Sequence, residues 1–247
     1  MDYNAPRAYE ALIAPRYAPV AKRLVKQAQL VLGEKVLELG AGTGLVTREA
    51  ARLVEPDGLF VATDRSAEML ALGRRIVGGR ALFAVVDYAA PLPFLAESFD
   101  VVLSGLTYMQ DAAEPIAETA RVLRSGGRLA LTMWAEDYLE FRLICAAKRR
   151  LGLDPYPRPE PDAAVQRLLD AGFAAVKRQD FELAPVYASV RDYLAYRRGF
   201  GVPVGSTQED HDRFLAALGD EAARVADADG AVTQGWAFSL ITARRAS

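Results

Sequence analysis

A basic excess, a second cysteine and any long apolar run are all missing from this 247-residue chain, and each absence removes a class of function. Lys and Arg number 30 against 32 Asp and Glu, a formal net charge of -2. Nucleic-acid and anionic-membrane binders carry a basic surplus or stripe, so neither partner is expected. The pairs Arg74-Arg75, Arg149-Arg150, Arg197-Arg198 and Arg244-Arg245 are read as solvated faces, since three of them fall near expected helix ends where cations complement the macrodipole. Cys145 alone cannot form an internal disulfide, and its apolar helical setting makes it a core filler. No stretch approaches the ~18 apolar residues of a membrane span. Met1-Asp2-Tyr3-Asn4 lacks the basic and apolar regions of a signal peptide, so the expected location is cytoplasmic. His211 is the only histidine and lies in the polar run Gln208-Glu209-Asp210-His211-Asp212, which reads as solvated helix. No metal-ligating pattern stands out.

What the chain does have is Val36-Leu37-Glu38-Leu39-Gly40-Ala41-Gly42-Thr43-Gly44, an apolar run that ends in alternating glycines and gives way to a helical pattern. Glycine lacks a Cβ and tolerates positive φ, so backbone amides there can approach a ligand closely. A carboxylate at the tip of the next strand, Asp64, is placed to accept ribose hydroxyls. A dinucleotide fingerprint would need Gly or Ala three positions after Gly42, and Leu45 stands there.

Short Val- and Leu-rich runs at Lys35–Leu39, Leu59–Thr63, Leu82–Val86, Val101–Ser104 and Leu129–Met133 suit strands buried on both faces of a parallel sheet. Helical patterns separate them at 45–54, 66–76 and 112–123, the second opening on a capping Ser66 and the third carrying Pro115 near its start. Another amphipathic helix is expected over Pro19–Leu32, ahead of the first strand. This alternation specifies a doubly wound α/β fold. Beyond Trp134 the reading gives a helix over 138–151, a proline-rich break at 154–161, a helix over 163–171 and a strand over 173–183. Helical segments at 190–198 and 207–226, taken as a lid, precede a last run at 232–243. The chain is read as one domain: a helical cap over residues 1–32, a core over 33–135, a variable acceptor and lid region over 136–230, and a last strand over 231–247.

The motifs Glu-Leu-Gly-Ala-Gly-Thr-Gly, Ala-Thr-Asp at 62–64, Val-Val-Asp-Tyr at 85–88, Ser-Phe-Asp-Val-Val-Leu at 98–103 and Arg-Val-Leu-Arg-Ser-Gly-Gly-Arg-Leu at 121–129 occur in that order. Together they resemble the class I S-adenosylmethionine-dependent methyltransferases, in particular the branch that modifies small molecules and quinones, over roughly residues 5–135. The resemblance implies a Rossmann-like, mostly parallel seven-stranded sheet with helices on both faces, a helical lid insertion and an antiparallel hairpin at one edge. It also implies S-adenosylmethionine as cofactor and S-adenosylhomocysteine as product. By resemblance, Gly40, Ala41, Gly42 and Gly44 pass under the methionine part and Glu38 helps hold its ammonium group. Asp64 takes the ribose hydroxyls, Arg65 and Met69 flank the adenine, and Asp87 with the Tyr88 amide faces its edge. Ser104 and Leu106 form the floor below the sulfonium, and Tyr17, with Tyr9, resembles tyrosines that close over the cofactor.

Methyl transfer from a sulfonium requires mainly an in-line approach of the acceptor, and a general base only where the acceptor must lose a proton. No residue is nominated as that base. Tyr108 and Trp134 point by position toward the acceptor, with core packing as the alternative for each. Tyr193, Tyr196 and Phe200 follow helical spacing, as a lid's inner face or as a packing stripe. The expected activity is methyl transfer to O, N or C of a small molecule, in a pocket between the sheet edge and the helices of residues 137–226, by a monomer or homodimer. The alternatives are a catalytically silent cofactor-binding module, an NAD-dependent oxidoreductase, disfavoured by Leu45, and a nucleic-acid methyltransferase. Ser104-Gly105-Leu106-Thr107-Tyr108 lacks the Asn/Asp-Pro-Pro-aromatic signature of the enzymes that methylate exocyclic base amines.

Overall fold

The structure, a computed structural model, describes residues 5–107, 114–203 and 205–246. In chain order the elements are α1 (Pro6–Leu12), α2 (Ala14–Ala28), β1 (Lys35–Leu39), α3 (Leu45–Ala50), β2 (Leu59–Asp64), α4 (Ala67–Val77), β3 (Leu82–Val85), β4 (Phe99–Gly105), α5 (Glu114–Val122) and β5 (Leu123–Trp134). They continue as α6 (Leu139–Arg150), α7 (Pro161–Asp170), β6 (Phe173–Leu183), β7 (Val186–Tyr187), α8 (Val190–Arg198), α9 (Gln208–Ala223), β8 (Val232–Thr233) and β9 (Trp236–Arg245). Among the described residues, no helix is long and apolar enough to cross a membrane.

The chain divides into two compact units. The larger comprises Tyr17–Trp134, Glu160–Asp180 and Phe238–Ser247. The seven-stranded sheet has the order β3-β2-β1-β4-β5-β9-β6. Strands β1 to β5 pair in parallel, whereas β9 runs antiparallel to β5. Order reverses between β1 and β4, which puts the carboxyl end of β1 at the position where open α/β sheets bind ligands.

Burial explains why these strands read as unbroken apolar runs. Val36, Phe60, Ala62, Val101, Leu103 and Ala130 pack on one face against Leu24 and Val25 of α2, Val46 of α3 and Leu70 of α4. Their neighbours Leu37, Val61, Val102, Leu129 and Leu131 pack on the other face with Ile116 of α5 and Leu168 of α7. Successive side chains point to opposite faces, and both faces are covered. Burying each Val or Leu is worth about 1.5–3 kcal/mol relative to leaving it in water.

The first expected helix differs from what forms. Helix α2 starts at Ala14 and carries Pro19 in its interior. The apolar stripe Ile13, Tyr17, Val20, Ala21, Leu24, Val25 and Ala28 is buried throughout, so packing outweighs the amide that Pro19 lacks. It ends at Ala28 because Gln29 turns to φ 50, leaving Val31 and Leu32 exposed. Strand β5 is longer than its apolar run, since residues 123–128 extend the pairing with β4 through an irregularity.

The smaller unit comprises Met1–Arg16, Ala135–Pro159 and Phe181–Ala237. Strands β7 and β8 form their own antiparallel pair there. Helix α9 opens with a reciprocal capping box in which Thr207 and Asp210 satisfy each other's backbone amides. The fully buried rings of Tyr187, Tyr193, Tyr196 and Trp236 supply much of its core.

Helix α4 begins on Ser66, whose hydroxyl accepts the Met69 N–H at 3.2 Å. Ser66→Ala removes that cap and is expected to cost about 1 kcal/mol. Urea unfolding checks this, and a midpoint equal to that of the parent protein would show that the cap is dispensable.

Candidate active site

The turn after β1 is shaped by backbone demands that only glycine meets cheaply. Gly40, Gly42 and Gly44 have φ of 75°, 56° and 82°. A Cβ at Gly40 would overlap the Thr107 side chain, and one at Gly44 would come within 2.9 Å of Val77 Cγ2. At Gly42 the nearest atom would be Met69 Cε, at 3.4 Å. A Cβ at the middle glycine would make only an ordinary contact with Met69, while its neighbours are hemmed in by protein.

Asp64, at the end of β2, holds this turn. Its Oδ2 accepts the Gly42 N–H at 2.9 Å and its Oδ1 accepts the Ser66 N–H at 2.9 Å. Burial pushes its carboxyl above the ordinary value, against the pull of the Ser66, Gly42 and Arg65 amides. The Ala41 N–H donates to the Thr63 carbonyl at 2.8 Å, which fixes the turn at a second point.

Carbonyls at the end of β1 are met by hydroxyls of neighbouring strands. Thr63 Oγ1 donates to the Glu38 carbonyl at 2.7 Å, Ser104 Oγ to that of Leu39 at 3.0 Å, and Thr107 Oγ1 to that of Gly40 at 3.3 Å. The Tyr88 hydroxyl bonds the Thr107 carbonyl at 2.8 Å, tying the segment after β3 to the end of β4. Sequence reasoning missed Thr63 and Thr107 in this role. Their only signal was a hydroxyl residue at the carboxyl end of a strand, which is too common to single out.

Glu38 is buried, with one partner of opposite polarity: Thr47 Oγ1 donates to its Oε2 at 2.6 Å. Desolvation pushes its carboxyl up to about 8, helped by the Asp64 charge and opposed by the Thr47 hydrogen bond and Arg48. Such a group stays protonated near neutrality until a cation arrives beside it.

The remaining expected residues fall as follows. Met69 is buried, Arg65 is exposed, and Asp87 is exposed with its Oδ1 accepting the Ala89 N–H at 3.0 Å. Leu106 is half-buried with φ 58, its N–H bonded to the Thr132 carbonyl at 3.0 Å. Trp134 ends β5 with its ring 4.5 Å from Phe238 and 6.1 Å from Tyr17. Tyr108 lies outside the described residues. Tyr196 belongs to the smaller unit, where its ring sits 5.3 Å from Tyr187 and 5.8 Å from Trp236. His211 is not the solvated residue its polar neighbours suggested: it is buried, its Nδ1 has no hydrogen-bond partner, and desolvation holds its pKa below the ordinary value.

This donor set fits S-adenosylmethionine. Carboxylates suit its hydroxyls and ammonium, and a turn of glycines at positive φ suits close approach of the backbone to a ligand.

A methyltransferase-domain family profile matches residues 36–127. The chain is 34% identical over 165 residues to a demethylmenaquinone methyltransferase of Roseiflexus castenholzii, which spans 58% of this chain and 68% of that protein. It is 40% identical over 107 residues to the ubiquinone/menaquinone biosynthesis C-methyltransferase UbiE of Stutzerimonas stutzeri, across 39% of this chain and 40% of that one. Among solved structures, the YcgJ protein of Bacillus subtilis has the same fold, with a TM-score of 0.67 at 18% identity over 93% of this chain and 99% of its own.

Glu38 carries a stability signature. The folded chain holds its proton to about pH 8 and the unfolded chain only to the ordinary 4.5, so its stabilising contribution is full below 4.5 and is lost as the pH rises to 8. Within that window the loss approaches about 1.4 kcal/mol per pH unit. Glu38→Gln keeps an acceptor for Thr47 but has no proton to lose. Denaturant midpoints of the parent should fall relative to the variant across this range, and parallel curves would show that Glu38 titrates normally.

Proposed function

The chain belongs to the class I S-adenosylmethionine-dependent methyltransferases, and from that premise we propose that it methylates a ring carbon of a small oxygen-substituted aromatic acceptor of the demethylmenaquinone kind. As an enzyme it takes S-adenosylmethionine as cofactor and transfers its methyl group to a small molecule. The observation that carries the choice of acceptor is the 34% identity to a demethylmenaquinone methyltransferase over 68% of that protein's length.

When bound, S-adenosylmethionine supplies an electrophilic methyl whose bond to sulfur breaks as a ring carbon attacks in line. A quinone ring is poor in electrons, whereas its reduced dihydroxy form donates density from the adjacent hydroxyl oxygen to the ring carbon. The reduced form is therefore the competent acceptor, and it loses the proton of the attacked carbon. No strong base is needed, because the hydroxylated ring is restored to aromaticity by that loss, and positioning supplies most of the rate.

Within the larger unit, Gly40, Ala41, Gly42 and Gly44 line the methionine part of the cofactor, and Glu38 receives its ammonium group. Asp64 takes the ribose hydroxyls. Arg65, Met69, Asp87 and Tyr88 surround the adenine, while Ser104, Leu106 and Tyr17 border the sulfonium. Trp134, ringed by Tyr17 and Phe238, offers an aromatic surface at the end of β5. The balanced charge favours small neutral acceptors over nucleic acid, and the enzyme is read as a cytoplasmic monomer or homodimer.

Transfer of labelled methyl to demethylmenaquinone reduced beforehand with dithionite is the expected result, with none to the oxidised ring. No label in the reduced ring would overturn this acceptor. Asp64→Ala should weaken cofactor binding by about 10- to 100-fold, the scale of hydrogen bonds to a charged group. Isothermal titration with S-adenosylhomocysteine measures it, and unchanged affinity would remove Asp64 from the site.

A further inference from the structure

The segment that leaves β4 carries a leucine in a conformation that leucine disfavours. Leu106 has φ 58, in the left-handed region, where its Cβ crowds the following carbonyl oxygen. Its side chain is only half-buried, so apolar burial recovers little of that cost. A glycine would adopt this backbone freely. Stability therefore does not account for the leucine, and strain of this kind persists where the surroundings over-determine it and clusters at ligand sites.

Contacts on both sides of Leu106 do the determining. Its own N–H donates to the Thr132 carbonyl at 3.0 Å, at the end of the β4–β5 ladder where Gly105 pairs with Thr132. On the other side, Thr107 Oγ1 reaches the carbonyls of Gly40 and Gly105, at 3.3 Å and 3.2 Å, and the Thr107 side chain fills the space that a Gly40 Cβ would need. The Thr107 carbonyl accepts the Tyr88 hydroxyl at 2.8 Å. Tyr88 follows Asp87 after β3 and is half-buried against the core that includes Val86 and Leu92. One side chain thus ties the chain after β3 to the chain after β4, and every partner lies within the larger unit.

We propose that Tyr88 is a positioning residue that couples the two ends of the cofactor: its backbone stands at the adenine, and its hydroxyl, through Thr107, holds Leu106 in the conformation that shapes the sulfonium end. This rests on the cofactor placement given above, with Tyr88 at the adenine and Leu106 at the sulfonium, and is independent of the acceptor. Phenylalanine at position 88 keeps the ring and the backbone amide and removes only the hydroxyl that makes the link. Without that link Leu106 can relax toward negative φ and carry its side chain away from the sulfonium.

Isothermal titration of the whole chain with S-adenosylhomocysteine, and with adenosine, which lacks the sulfur and the amino acid, tests this in the parent, Tyr88→Phe, Leu106→Gly and the double variant. Tyr88→Phe should bind S-adenosylhomocysteine about tenfold more weakly, the scale of one hydrogen bond, and adenosine within about twofold of the parent. In the Leu106→Gly background the left-handed backbone needs no support and no side chain is left to aim, so adding Tyr88→Phe should cost less than about twofold. Leu106→Asn, which also accepts positive φ, takes the place of the glycine variant if melting curves show that the latter does not fold. Unchanged S-adenosylhomocysteine affinity in Tyr88→Phe would overturn the coupling and leave the cofactor assignment standing. Equal losses for the two ligands would assign Tyr88 to the adenine or to general packing, and a full loss in the Leu106→Gly background would show that it does not act through Leu106; either result overturns the coupling. A parent that binds neither ligand would refute the cofactor assignment and the coupling with it.

Discussion

One carboxylate holds the ends of three elements in register. Asp64 takes the Gly42 amide with one oxygen and the Ser66 amide with the other, so the turn after β1, the tip of β2 and the start of α4 share a single fixed point. Both bonds are made to backbone, so they define the path of the chain rather than the position of a side chain. The glycines can adopt positive φ, but that freedom alone would give a floppy turn. Asp64 and the Thr63 carbonyl convert the freedom into one shape, and the hydroxyls of Thr63, Ser104 and Thr107 close the carbonyls on its other side.

The two buried glutamates illustrate how differently one residue type can be handled. Glu38 is hydrogen-bonded by the Thr47 hydroxyl and avoids charge by keeping its proton. Glu140 faces Arg197 directly at 2.9 Å, so its burial is answered by an opposite charge. The first arrangement leaves a neutral carboxyl, whereas the second has a cation beside it.

Much of the larger unit could be read from sequence because its strands are buried twice over. Runs such as Val101 to Leu103 cannot face water on either side, and that constraint leaves few residue types available. The glycine turn was legible for a similar reason, since positive φ demands particular residues at particular places. Pro19 misled because helix propensity is a local quantity, and the stripe from Ile13 to Ala28 is held by burial that no local rule contains. His211 misled in the same way: its neighbours in sequence are polar, but its neighbours in space bury it. Gln234 carried no signal at all. A lone glutamine after a short strand reads as surface, yet this one is fully buried.

The alternation of side chains between two covered faces has a consequence for how such a chain can change over time. Inserting or deleting one residue inside β1 would exchange Val36's face for Leu37's along the rest of the strand, a simultaneous mismatch on both sides of the sheet. The lengths of these strands are therefore effectively frozen, and descent can explore only the identities of their residues. Connections other than the glycine turn carry no such lock. Diversification by insertion is channelled into them, away from the strands that carry the glycine turn.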